Sequence, residues 1–263
     1  MFENNIEPFS VYAIKYATVQ RNASDNFIGS DPHDSATSMD YYVWVARSKE
    51  HLFLIDTGFD AQRAISRRRI FLRCPTEGLS LLGIDRSDVE SIIITHMHYD
   101  HAGNLSLFKN ARFFIQDSEV AYVTGRSMRH SFLRQAYELE DVLDVVRYVH
   151  TDRVNFIDGN AELVPGLRLH HIGGHCAGLQ IVQVWTKQGW MVLASDASHY
   201  YENFESKRPF PIVLNVHDML EGHAKLNELA SSPSLIIPGH DPRVMERYNA
   251  PSEEMEGIVV QLA

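Results

Sequence analysis

The seven-residue run Thr95-His96-Met97-His98-Tyr99-Asp100-His101 constrains this chain more than any other stretch. It places four metal-ligating side chains within six positions. It also directly follows Ser91-Ile92-Ile93-Ile94, an apolar, β-branched run that reads as a buried strand. Side chains at the end of such a strand stand on rigid backbone, at the rim where sites usually form. Residues at i and i+2 of an extended segment point the same way, and Asp100 and His101 continue round the bend. Neutral imidazoles and a carboxylate suit a borderline cation such as zinc. One ion would need fewer ligands, so the pattern points to two.

Other donors follow their own apolar runs. Leu167-Arg168-Leu169-His170-His171-Ile172 leads through Gly173-Gly174 to His175, and Trp190-Met191-Val192-Leu193-Ala194-Ser195 leads to Asp196. Ser234-Leu235-Ile236-Ile237-Pro238-Gly239 leads to His240. Together His96, His98, Asp100, His101, His175, Asp196 and His240 supply donors for two metals if Asp196 bridges them.

In this order the motifs resemble the metallo-β-lactamase superfamily: His-x-His-x-Asp-His at 96–101, then His175, Asp196 and His240. Asp56-Thr57-Gly58, after Leu52-Phe53-Leu54-Ile55, adds to the likeness, which spans residues 41–241. Within the superfamily the chain is most similar to the N-acyl-homoserine lactonases, through Asp196-Ala197-Ser198 and Glu202-Asn203-Phe204-Glu205. The resemblance implies a four-layer αββα sandwich of two mixed β-sheets flanked by helices, with residues 1–263 as a single hydrolase domain. It implies two Zn²⁺ per chain, or another divalent metal. His96, His98 and His175 would hold one ion, Asp100, His101 and His240 the other, and Asp196 would bridge. The implied activity is that of a quorum-quenching lactonase, in which a hydroxide shared by the ions opens the ring of a small-molecule lactone. Hydrolysis of another cyclic ester or amide, or of a thiolester as in hydroxyacylglutathione hydrolases, is the alternative. The chain shows no obvious basic C-terminal module for glutathione carboxylates, which ranks the thiolester lower.

Asp56 is expected to accept the second ring N–H of a ligating imidazole, which fixes its tautomer and raises its basicity. In the lactonase pattern a tyrosine that helps bind the lactone carbonyl lies three positions after the bridging aspartate. Here that position is His199, followed by Tyr200 and Tyr201. An imidazole there can donate to the same oxygen or act as a general acid, and Tyr200 can substitute after a small backbone shift. Asp100, His199 and Tyr200 are therefore the candidate catalytic groups, with Asp100 better cast as a ligand than as a free base.

His170 and His171 read as ordinary strand residues, Cys176 as a small packing residue, and Tyr41 and Tyr42 as core. Phe204, Pro209, Phe210 and Pro211 form an expected apolar wall. The run Arg67-Arg68-Arg69 reads as a solvated face in preference to a contact for a substrate carboxylate. His33, His51, His130, His150, His217 and His223 show no partner pattern.

Hydrophobic content of 44% supports a sizeable core, and the net charge of −10 argues against nucleic acid as a partner. That charge does not exclude an anionic substrate, because a metal pair creates its own positive field. Met1-Phe2-Glu3-Asn4-Asn5 lacks the basic start and apolar run of a signal peptide, and no apolar stretch approaches the ~20 residues of a membrane span. Two cysteines, Cys74 and Cys176, fit a reduced, cytoplasmic setting. The missing signal counts against a β-lactamase, and net acidity against an RNA-processing nuclease. The length leaves no room for the flavin partner of a diiron electron-transfer module, and a non-catalytic relative should have lost ligands.

The expected elements are a strand over 9–19, a loop over 21–37, and a hairpin of 41–46 with 52–55. A mostly helical stretch follows over 118–150, also a candidate homodimer surface, then strands over 154–190 and a helix over 218–230.

Overall fold

Two long N-terminal strands set the architecture. β1 (Ser10–Asn22) and β2 (Ala36–Arg47) pair antiparallel from Ser10↔Arg47 to Asn22↔Ala36. Both exceed their expected lengths, so the expected loop 21–37 shrinks to the tip of this hairpin. A 3₁₀ turn, Ala23–Asn26, occupies part of that tip. The computed structural model describes residues 6–31, 33 and 36–263. Residues 1–5, on which the signal-peptide reading rests, and residues 32, 34 and 35 of the expected loop lie outside the described residues.

β2 alternates without a polar face. Tyr41, Val43 and Val45 pack into one core cluster, while Tyr42, Trp44 and Ala46 pack into another. A strand apolar on both sides must be covered on both sides, and the remaining elements supply the cover. β3 (Leu52–Ile55) pairs antiparallel with β2, β4 (Ile70–Phe71) pairs with β1, and β5 (Ser91–Ile93), β6 (Arg112–Gln116) and β7 (Val154–Ile157) continue the sheet in parallel. The second sheet contains β8 (Ala161–Val164), β9 (Leu167–His171), β10 (Gln180–Thr186), β11 (Gly189–Ser195) and β12 (Ile236–Pro238), with β11 and β12 parallel and the rest antiparallel. β13 (Val259–Gln261) returns to pair with β1.

Between the sheets, Val11, Trp44 and Ile55 meet Leu169, Val182 and Leu193 in one buried cluster. The outer face of the first sheet is covered by α1 (Ala61–Arg67), α2 (Pro75–Leu81), α3 (Asp117–Val123) and α5 (Leu139–Val149), through Ala64, Leu79, Val123 and Val145, while the short α4 (Ser131–Arg134) buries none of its residues. α6 (Tyr201–Glu205), α7 (Val216–Leu229) and α8 (Arg243–Arg247) flank the second sheet through Phe204, Leu226 and Val244. The result is the expected helix–sheet–sheet–helix sandwich of two mixed sheets. The stretch 118–150 is helical only in pieces, broken by a 3₁₀ turn at Arg126–Arg129, while α7 matches the expected helix closely. Among the described residues no helix is long and apolar enough to cross a membrane.

Strand direction decides where the loops gather. β3 and β5 run parallel as neighbours, as do β11 and β12. β9 is antiparallel to β10, which is antiparallel to β11, so β9 and β11 end on the same edge. The loops after these strands are those that carry Asp56, residues 95–101, His175, Asp196 and His240. Backbone bonds tie the sheets together there: Gln180 N donates to the Thr95 carbonyl, and Asp40 N to that of His240.

Candidate metal centre

All seven expected donors come together at this edge, every one buried. Ligand atoms of His96, His98, His175 and Asp196 lie within 4.8 Å of one another, as do those of Asp100, His101 and His240. Asp196 faces both groups. Its Oδ2 lies 3.1 Å from His175 Nε2 and 3.6 Å from His96 Nε2, while its Oδ1 lies 3.0 Å from His240 Nε2 and 3.3 Å from His101 Nε2. His98 Nδ1 completes the first group, 3.0 Å from His96 Nε2 and 2.9 Å from His175 Nε2.

Local backbone aims the carboxylate. Ser195, immediately before Asp196, has φ 45°, a left-handed turn at the end of β11, and its hydroxyl sits 2.8 Å from Thr95 Oγ1. Gly239 packs against this turn: a Cβ there would fall 2.7 Å from the Ser195 carbonyl oxygen and 3.0 Å from Asp196 Oδ1. Only glycine admits so close an approach.

The outward hydrogen bonds of the rings fix what they present inward. A carbonyl or ionised carboxylate oxygen only accepts, so the ring nitrogen opposite it carries the proton. His175 Nδ1–H donates to the Ile212 carbonyl at 2.7 Å, and His240 Nδ1–H to the Asp40 carbonyl at 2.8 Å. His101 Nδ1–H donates to Asp56 Oδ2 at 2.7 Å. With Nδ1 engaged outward, the Nε2 atoms of these three rings point at the oxygens of Asp196, and His101 Nε2 is buried without a hydrogen-bond partner. Burial, reinforced by neighbouring imidazoles, pushes His96 and His98 well below the usual histidine pKa, which favours neutral donors there too. Burial also opposes a charged His101, but Asp196, Asp56 and Asp100 outweigh it and raise its pKa. A cation held there would remove that preference for the proton. Lone pairs and carboxylates converging in this way fit divalent metals of zinc's type.

Asp56 lies where its expected role requires. With φ 62°, it accepts Thr95 N–H through Oδ1, and the Thr95 hydroxyl and His101 Nδ1–H through Oδ2. Burial raises its pKa, and the His101 and Thr95 contacts oppose that rise.

His199 lies closer to the donors than a residue at the pocket mouth would. Its Nε2 is 3.1 Å from Asp196 Oδ2, it forms a further possible metal-holding group with Asp196 and His240, and its ring stacks 3.7 Å from Phe210. Burial, against the pull of Asp196, lowers its pKa to about 3. Tyr200 turns elsewhere: its hydroxyl donates to the Ser38 carbonyl, and its ring packs by Phe27 and Phe210.

A cavity of about 210 Å³ opens onto Asp100, Asp196 and His199. Several neighbouring residues differ from expectation. Tyr41 lines this cavity besides being buried, with its ring edge-on to His240, whereas Tyr42 belongs to the inter-sheet core. Phe210 is a cavity wall, Pro211 lines an adjoining cavity, and Phe204 is core instead of wall. Arg67 and Arg69 line the cavity, so the solvated-face reading holds only for exposed Arg68. Sequence reasoning missed Arg21 and Tyr99 on the wall, and the carbonyls of Asp40 and Ile212 that orient two rings. Tyr99 sat within the quoted motif; backbone carbonyls leave no trace in residue type. His170 bonds Gln183, His171 bonds the Ala177 carbonyl, and Cys176 packs in the core, as expected. Cys74 and Cys176 are both free thiols.

Comparison with known proteins gives a consistent family picture. The profile of the metallo-beta-lactamase superfamily matches residues 39–240. An N-acyl homoserine lactonase of Bacillus sp is 30% identical over 190 residues, 65% of this chain and 70% of that one. One from Bacillus thuringiensis is 29% identical over 185 residues, 64% and 68% of the two chains. A solved quorum-quenching N-acyl homoserine lactone lactonase superposes with TM-score 0.78 over 94% of this chain and 97% of its own, at 23% identity.

Proposed function

The chain belongs to the metallo-β-lactamase superfamily, and from that premise we propose that it is a dinuclear zinc hydrolase that opens lactone rings, an N-acyl-homoserine lactone or a related small lactone. One observation supports this most: Asp196 directs one oxygen into each of two imidazole groups, and hydrogen bonds behind three of those rings hold their Nε2 atoms toward it. His96, His98 and His175 would hold one metal and Asp100, His101 and His240 the other, with Asp196 shared, all within one domain spanning residues 1–263. When bound, a metal pair supplies Lewis acidity for the carbonyl and lowers the pKa of water toward about 7.

The chain's own groups prepare that chemistry. Asp56 keeps His101 in the Nδ1–H tautomer. The Ile212 and Asp40 carbonyls do the same for His175 and His240. His199, held neutral by burial, suits hydrogen-bond donation to the lactone carbonyl; a general acid would need the imidazolium that burial disfavours. Tyr200 supports Phe210, and through it the His199 ring. Asp100 serves as a ligand. Walls of Tyr41, Phe210 and Ile212 narrow the approach of bulk water.

The test combines metal analysis of the purified protein with a pH-indicator hydrolysis screen over homoserine lactones, other lactones and thiolesters. Close to two metals per chain and ring opening of at least one lactone are expected; turnover of thiolesters but of no lactone overturns the substrate. His199→Phe should lower turnover far more than metal content, and unchanged turnover would reduce His199 to pocket lining.

A further inference from the structure

The cavity that reaches Asp100, Asp196 and His199 is also lined by Arg21, Arg67 and Arg69. Three guanidiniums around one cavity, in a chain of net charge −10, need a physical reason.

Arg67 has one. Its Nη2 and Nε donate to Glu138 Oε1 at 2.6 and 2.9 Å, its Nη1 donates to the Gln135 carbonyl, and its guanidinium lies 4.2 Å over the Tyr99 ring. That charge is neutralised within the fold.

Arg69 and Arg21 differ. Arg69 donates Nε–H to the Tyr99 hydroxyl at 3.1 Å and Nη1–H to the Arg67 carbonyl at 2.9 Å. Arg21 donates Nε–H to Asn26 Oδ1 at 2.7 Å and Nη2–H to the Asp25 carbonyl at 2.8 Å. Arg21 also lies 5.3 Å from the Phe210 ring that stacks on His199. Every one of these acceptors is neutral. Among the described residues neither guanidinium forms an ion pair with a carboxylate, Asp100 reaching Arg69 only through its field, and one terminal nitrogen of each, Arg69 Nη2 and Arg21 Nη1, has no hydrogen bond. The neutral acceptors fix orientation without cancelling charge. A guanidinium held this way is a preorganised fork for a carboxylate, and both are partly buried, where an ion pair is screened less than on an open surface.

A second cavity, of about 160 Å³, meets the first at His98, His175 and Ile212, and is otherwise lined largely by apolar groups such as Phe132, Leu133 and Leu214. The centre thus has an apolar arm and a cationic arm. Resting on the lactonase reading, we propose that the substrate is a lactone bearing a carboxylate, which Arg69 and Arg21 bind while the apolar arm takes the uncharged part. Arg69 and Arg21 are then the determinants of specificity for the anion.

Calorimetric titration of the metal-loaded protein with glutarate and with butyrate reads this site without turnover, because the two differ by one carboxylate. Glutarate should bind about tenfold more tightly or better, equal to about 1.4 kcal/mol. The ratio should fall to near one in Arg69→Gln and in Arg21→Gln at unchanged metal content. These residues sit on separate segments, so a folding defect in one variant does not carry to the other. In parallel, a carboxylate-bearing γ-lactone should show a kcat/KM about tenfold above that of its methyl ester, with the preference lost in both variants. A wild-type ratio near one, or a ratio kept in both variants, overturns the proposal. Protein that prefers glutarate but opens no lactone supports the anion site and sinks the lactone reading. Protein that opens neutral lactones without any preference for glutarate does the reverse.

Discussion

At the residue scale, the site depends on side chains that touch no substrate. Asp56 occupies a left-handed backbone position and holds His101 by a 2.7 Å hydrogen bond. Asp56→Asn keeps the shape but loses the charge, and can turn an amide N–H toward the ring. Removing such a partner typically costs about 10–100-fold in metal affinity; competition against a chelator should show that loss with the fold intact by circular dichroism. Unchanged affinity would reduce Asp56 to a turn residue. The donors themselves were legible in the sequence because their residue types are rare and their spacing is tight. Arg69 was not. An arginine run looks the same whether it meets water or a cavity, and the left-handed residue Arg68, φ 56°, ends α1 and separates the path of Arg69 from that of Arg67.

Strand ends do most of the positioning at the element scale. Apolar runs announce β5, β9, β11 and β12, so the positions of the donors at the ends of strands followed from periodicity. The helices were less legible: within 118–150 the helical apolar spacing lies at Leu139, Val142, Leu143, Val146 and Val149, and only there, in α5, does the stretch form a regular helix of any length. Gly125 interrupts it, where a Cβ would come within 2.7 Å of the Ala121 carbonyl. α7 carries a liability of its own. His223 is buried on it with no hydrogen bond of good geometry at either ring nitrogen, and burial, against a contact with the Ala197 backbone, lowers its pKa from 6.5 to about 4. Between those values the unfolded chain binds the proton that the folded one refuses, so stability falls as pH drops from 6.5 toward 4. His223→Leu should flatten that part of the profile in urea titrations run across this range. An unaltered slope would place the acid sensitivity elsewhere.

For the whole molecule, the two sheets are joined by packing and by the edge that carries the histidine and aspartate cluster. Trp44 and its neighbours fill the space between the sheets. At the edge, Asp196 from one sheet faces histidines that follow strands of both. A ligand that binds only the folded form stabilises it by mass action, about 4 kcal/mol at a thousandfold excess over its dissociation constant. Stripping metal with a chelator should therefore lower the thermal midpoint by several degrees, and restored zinc should recover it. A midpoint indifferent to the chelator would count against a metal pair in this cluster.

The chain's own order of residues determined the candidate donor set, the mixed strand-and-helix composition and the family, because ligand chemistry and strand periodicity are local properties. Tertiary structure alone decided that Asp196 divides its oxygens between two groups, that His199 reaches the same carboxylate, and that Arg21 and Arg69 line one cavity. Those facts depend on loops from two sheets meeting at one edge, and parallel strand pairing, which no short stretch of residues encodes, brings them there.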